Sequence, residues 1–224
     1  DISAGIFYTV TAELREKNIR MGQKIARGDA LVLAHYYAPD AVQAAADFVG
    51  DSFALAQEAV ASDKPGIVFC GVTFMGESAK ILCAEKQVFL PAADAHCAMA
   101  DMASEEEFRS MRETVPDLAG VIYINSSGRL EALSDAIVTS SNAGKVVSRL
   151  KEKNIYFIPD KNLGAHVAAQ LPEKKFYFGS GYCPIHNATT AEEVRAAQEA
   201  HPNALLLAHP ECPEAVRALA AYVG

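Results

Sequence analysis

A chain of 224 residues, 50% of them apolar, can bury a substantial core as one large α/β domain or two smaller ones, and its composition excludes a disordered polymer. The formal charge of −8 excludes a binder of the nucleic-acid backbone, which needs a basic face, yet leaves small anionic substrates open because a local field can oppose the global one. No run approaches the ~18 apolar residues of a membrane span, and the five scattered cysteines, odd in number and without a Cys-x-x-Cys pair, point to a reducing cytoplasm.

Residues 1-28 are expected to form an N-terminal helical lead-in, beginning at an Asp rather than a Met, as processing or trimming would leave it. The apolar run 30–34 predicts a strand, 39–46 a helix, and 48–49 a short strand feeding a helix over 52–61. Strand 66–69, helix 74–83 and strand 87–90 follow, then a loop carrying Cys97 and a helix over 104–113. Strands alternating with helices of ~10 residues predict parallel sheets covered on both faces.

The pattern then starts again. LVLAHYYAPDAVQAAADFVG from Leu31 and LLLAHPECPEAVRALAAYVG from Leu205 share eleven of twenty positions. A fainter middle copy, AGVIYINSSGRLEALSDAIV, starts at Ala119. IVFCGVTFMGESAK from Ile67 and IYFIPDKNLGAHVA from Ile155 keep the same offset. Generic βα periodicity accounts for some of this, but the shared offsets favour true repetition. The expectation is an α/β chain built as a pseudo-threefold repeat of αβα sandwich units: 29-117 and 118-203 complete, and 204-224 the start of a third unit, cut short.

Parallel sheets bind ligands beyond the carboxyl ends of their strands. His35 and Tyr37, Tyr123 and Asn125, and His209 and Glu211 occupy equivalent strand ends, and six in register predict a site rather than solvated tips. Ser52 and Ser140 each open a helix, where a hydroxyl caps free N–H groups and where anions also bind. Cys97 and Cys183 lie one repeat apart; a third such thiol would complete a nest for a four-iron cluster, although spacing alone leaves two isolated loop cysteines equally open. Cys70, ending an apolar strand, reads as a small buried hydrophobe, Cys83 as closing its helix, and Cys212, beside Glu211, as off the repeat position for a ligand; His96, His166 and His201 read as solvated, and Asp160 with Lys161 as a salt-bridged pair fixing its loop. His186, three residues after Cys183, is left between a site role and none.

Taken together, AHYYAPD, DFVGDSFALAQ, VFCGVTFMGESAK, YINSS, VTSSNA, FIPDKNLG, GYCPIH and HPECPEAV resemble the quinolinate synthase family from about Leu31 to Gly224. The resemblance implies condensation of iminoaspartate with dihydroxyacetone phosphate to quinolinate, releasing phosphate and water, in NAD biosynthesis. It implies a [4Fe-4S] cluster held by one cysteine per unit, with Cys97 and Cys183 as two ligands and the third outside this sequence, so that these residues alone are expected to be inactive. It also implies Tyr37 and Glu211 as proton movers, His35 and His209 orienting the triose, Tyr123 and Asn125 lining the cavity, and Ser52 and Ser140 holding carboxylate or phosphate. Phe74 and Met75 would lie beside the cluster region, and an aspartate-oxidising enzyme supplying iminoaspartate is an implied partner. Two other readings stay open: an anion-binding module without the cluster, and a zinc-dependent lyase using His35, His209, Glu211 and a thiol.

Overall fold

A computed structural model describes residues 27–92 and 94–224, so the expected lead-in at 1-28 lies almost wholly outside the described residues. The chain divides into two compact units, one running up to Cys97 with Ser127–Arg129, the other comprising Ala98–Ser126 and Leu130–Gly224. Among the described residues no helix is long and apolar enough to cross a membrane.

In the first unit, β1 (Ala30–His35), β2 (Phe48–Gly50), β3 (Gly66–Cys70) and β4 (Gln87–Phe89) form a parallel sheet in the order β2-β1-β3-β4. Short α1 (Asp40–Gln43) links β1 to β2, while α2 (Ser52–Ala61) and α3 (Thr73–Leu82) make the two longer crossovers. The apolar runs ALVLAH and GIVFC supply strands buried on both faces, and Leu33, Leu55, Ala59, Ile67 and Phe69 are almost wholly inaccessible. Lysines then close the helix ends. Lys80 Nζ donates to the carbonyls of Ala84 and Lys86, and Lys86 Nζ to those of Ala59 and Ser62.

The second unit begins with α4 (Glu105–Thr114), whose first turn is capped by the Ser104 hydroxyl accepting from Glu107 N at 3.1 Å. Its sheet holds β5 (Leu118–Tyr123), β6 (Ala136–Val138), β7 (Asn154–Ile158) and β8 (Lys175–Phe178) in the order β6-β5-β7-β8. The connections are α5 (Gly128–Glu131), α6 (Ala143–Val147) and α7 (Lys161–Gln170), followed by α8 (Pro184–Asn187) and α9 (Ala191–Ala200). Beyond them β9 (Leu207–Ala208), α10 (Glu214–Arg217) and β10 (Tyr222–Val223) build a two-stranded parallel sheet. The architecture is therefore α/β, with two four-stranded parallel sheets and a short third one.

Sheet register reproduces the sequence offsets. Leu33 faces Phe48, Val121 faces Ala136 and Leu207 faces Tyr222, so one pairing recurs after 88 and again after 86 residues. A local latch repeats with it. Asp47 donates its N–H to Val32 O while its carboxylate accepts from Val32 N at 2.8 Å; Asp135 does the same to Gly120, at 2.7 Å. In the third sheet Ala221 keeps only the backbone half of the latch, to Leu206.

Gly120 is required by close approach. A Cβ there would lie 2.1 Å from the ring of Phe108, which is 1% exposed and packed on Tyr156. Gly120→Ala is expected to destabilise the second unit by roughly 3 kcal/mol through overpacking. A urea midpoint unchanged from the parent would contradict that packing.

Candidate active site

The second unit gathers a polar cluster at the carboxyl ends of its strands. β5 ends in Tyr123, which is buried, with half-buried Asn125 two residues on. Glu211 follows β9 and is 3% exposed, and Cys183 and His186 sit at the start of α8. His186 Nδ1 lies 2.8 Å from Glu211 Oε2 and 3.2 Å from Cys183 Sγ. His209 stacks on His186 with centroids 4.5 Å apart at 20°, and its Nδ1 accepts from Glu211 N at 3.3 Å. The Tyr123 hydroxyl hydrogen-bonds to both Glu211 and Ser140.

These contacts fix the charge states. The bonds to Cys183 and then Glu211 push the His186 pKa up to about 10 against the pull of desolvation. Burial raises the Glu211 carboxyl, but the bonds from His186 and Tyr123 and the neighbouring imidazoles outweigh it and leave its pKa below the ordinary value. Burial first, then Glu211, drives Tyr123 well above the ordinary phenol value, so this hydroxyl stays a neutral donor. Desolvation lowers His209, opposed by Glu211.

Asp160 anchors the cluster from beneath. It is fully buried; Oδ1 accepts from Leu163 N and Oδ2 from Cys183 N, both at 2.8 Å. The expected salt bridge to Lys161 is replaced by this helix cap, and Lys161 Nζ lies 4.9 Å over the Tyr182 ring. A carboxylate at the last residue before a helix satisfies free N–H groups that no lysine could. Asn162 Nδ2 donates to Glu211 O and to Asn187 Oδ1, both at 3.0 Å.

In the first unit, β1 ends in buried His35, whose Nδ1 accepts from Tyr37 N at 3.2 Å, the same hook that His209 makes to Glu211 N. Desolvation lowers the His35 pKa against a weaker pull from Asp51. Tyr37 is 75% exposed, with its ring edge-on to His35. The half-buried Cys97 lies in a loop tethered by Thr73, whose N–H and hydroxyl both donate to Ala95 O. Phe74 and Met75 are buried in α3.

The two serines do not cap their helices. Asp51 caps α2, accepting from Ala54 N at 2.8 Å, which makes Ser52 the first helical residue. α6 starts later than expected, with Asn142 Oδ1 accepting from Thr139 N, and Ser140 turns to Tyr123 instead. His166 is half-buried rather than solvated, bonded to Gln170 and to Arg217. Cys70, expected to be buried, is half-buried, whereas Cys83 and Cys212 are buried. His186 carries more of the site than its lone position suggested; the Cys-x-x-His spacing, one helical turn, was the signal available.

None of the five cysteines forms a disulfide, and Cys97 and Cys183 carry the thiol donor type that iron–sulfur clusters take. The residues present fit such a group.

A family model described as NadA, quinolinate synthetase A protein, matches residues 18–224. Curated relatives that the chain matches carry the name quinolinate synthase, among them the following three. The protein from Clostridioides difficile (strain 630) is 46% identical over 196 residues, covering 88% of this chain and 64% of the relative. That from Clostridium perfringens (strain SM101 / Type A) is 44% identical over 212 residues, covering 95% and 69%. That from Caldicellulosiruptor saccharolyticus is 50% identical over 196 residues, covering 88% and 65%. The chain thus spans about two thirds of the length of these relatives. A match extending through all of the described residues places the chain in the quinolinate synthetase A protein family.

Proposed function

We propose that the protein is a quinolinate synthase, condensing iminoaspartate with dihydroxyacetone phosphate to quinolinate, with loss of phosphate and water, in NAD biosynthesis. The observation that carries the reading is the buried, ionised Glu211, held by His186 and Tyr123 beside the Cys183 thiol. Dehydrating condensation needs an ionised base sheltered from water, a neutral donor next to it and an acid to remove hydroxide. In this reading the units 29-117, 118-203 and 204-224 are copies of one αβα design, as the recurring register supports.

Cys97 and Cys183 would hold the [4Fe-4S] cluster together with a third thiolate from outside these residues. When bound, that group supplies a Lewis acid for loss of hydroxide. The chain's own residues do the rest. Glu211 takes a proton from substrate carbon on its carboxylate, and the neutral Tyr123 hydroxyl donates a hydrogen bond. Lowered pKa values keep the His35 and His209 imidazoles neutral at pH 7, suited to orienting triose oxygens rather than to repelling a cationic imine. The Tyr37 hydroxyl moves a second proton. Ser52, Ser140 and Asn125 hold substrate carboxylate or phosphate oxygens. An enzyme that oxidises aspartate would supply the labile imine.

The test is quinolinate formation by the product of the gene read to its own stop codon, reconstituted anaerobically with iron and sulfide and given both substrates. Turnover abolished by Cys183→Ala is expected. Absence of quinolinate from an iron-loaded protein would overturn the reading and favour an anion-binding module.

A further inference from the structure

The donors around His186 form a metal site of a different kind from a cluster. Cys183 Sγ, His186 Nδ1 and a Glu211 carboxylate oxygen all lie within 4.8 Å of one another. We propose that the metal-free chain binds a single zinc-type divalent cation through these three atoms.

The donor set decides the class of ion. Thiolate, imidazole and carboxylate together suit zinc or cobalt, whereas magnesium and calcium take oxygen donors almost exclusively. Spacing fits as well. Metal–sulfur and metal–nitrogen bonds of roughly 2.3 and 2.0 Å in a tetrahedron separate neighbouring donors by about 3.3–3.6 Å. The Sγ–Nδ1 and Nδ1–Oε2 separations are 3.2 and 2.8 Å, so a cation replacing the proton at Nδ1 needs these two pairs to part by a few tenths of an ångström, while the sulfur and the carboxylate already lie within 4.8 Å of each other.

The frame behind the donors already exists. Asp160 pins the Cys183 backbone, Asn162 ties Glu211 to Asn187, and His209 covers the face of the His186 ring. Donors held before the ion arrives lose little freedom on binding. His209 Nδ1 is 3.9 Å from Glu211 Oε2 and is already engaged by Glu211 N, so the fourth position falls to water or an anion, as in open zinc sites. One consequence rests on the functional reading above: Cys183 cannot serve this ion and the cluster together, so zinc excludes cluster loading.

Cobalt(II) titration of the metal-free chain under anaerobic conditions tests the site without any turnover. One cobalt per chain is expected, with a sulfur-to-cobalt absorption band, intense tetrahedral d–d bands and complete displacement by zinc. Cys183→Ser should abolish the sulfur band, and His186→Ala and Glu211→Gln should each weaken binding by about 10- to 100-fold. Cys97→Ser should leave the spectrum unchanged. His186 is only half-buried on a short helix, so its variant keeps the test informative if Cys183→Ser folds poorly. No cobalt uptake, a sulfur band surviving in Cys183→Ser, or full affinity in His186→Ala would each overturn the proposal. Because the readout is cobalt absorption in cluster-free protein, it can fail while quinolinate synthesis stands, and the reverse.

Discussion

Replacing Glu211 with glutamine is expected to slow quinolinate formation by about 10³-fold while the iron content stays that of the parent. The amide keeps the shape of the side chain and can still accept from the Tyr123 hydroxyl, so packing around this 3%-exposed group survives. What it loses is basicity, together with the charge that, after the bond to Cys183, raises the His186 pKa. Glu211→Asp, which keeps the charge but withdraws it by one methylene, should retain measurably more activity than the glutamine variant. The acid limb of the wild-type rate profile should fall below the ordinary carboxylate range, because the bonds to His186 and Tyr123 outweigh burial. A loss of less than tenfold in Glu211→Gln would leave this carboxylate as no more than an ion-pair partner for His186.

The largest stability effect is expected at Asp160. Removing its carboxylate in Asp160→Ala strips acceptors from one buried and one half-buried N–H group, those of Leu163 and Cys183, and removes the cap of α7. Unsatisfied donors of this kind cost about 1–3 kcal/mol each, so a loss of roughly 3–4 kcal/mol is expected, with Cys183 freed from its tether. The pH dependence has a definite sign. Burial pushes the Asp160 carboxyl up to about 6, partly offset by its backbone bonds, so the folded chain holds this proton more tightly than the unfolded one. That contribution is complete below the unfolded carboxylate range and is lost as pH rises through about 6. The stability gap between parent and Asp160→Ala should therefore narrow across that window. Urea midpoints at pH 4.5, 6 and 7.5 measure it, and a gap that widened with pH would contradict the burial account.

Much of the fold was legible because it rests on local signals that repeat. Apolar runs of strand length placed β1 to β4 within a residue or two, and Ser52–Ala61 is the helix expected from the pattern. The repeat offsets carried further, since they anticipate that Leu207 pairs with Tyr222 as Leu33 does with Phe48. What was not legible depends on choices between neighbours. Asp51 and Ser52 can both cap a helix, and only the backbone path decides that the aspartate does so. Lys161 next to Asp160 suggested an ion pair, whereas the N–H of Leu163, three residues on, and that of Cys183, from a later loop, claim the carboxylate. The site was legible as residue types at strand ends. Its organisation around His186 was not, because Glu211 and His209 reach that ring from a strand that no local pattern connects to α8.

The central claim is that Cys97 and Cys183 are iron–sulfur ligands in a quinolinate synthase. Anaerobic quantification of iron and sulfide, on the gene product read to its own stop codon, tests it most directly. The account predicts about four of each per chain, lost in both Cys97→Ala and Cys183→Ala and retained in Cys70→Ala. Protein that folds but takes up no iron and sulfide, or that keeps its full complement without Cys183, would contradict it.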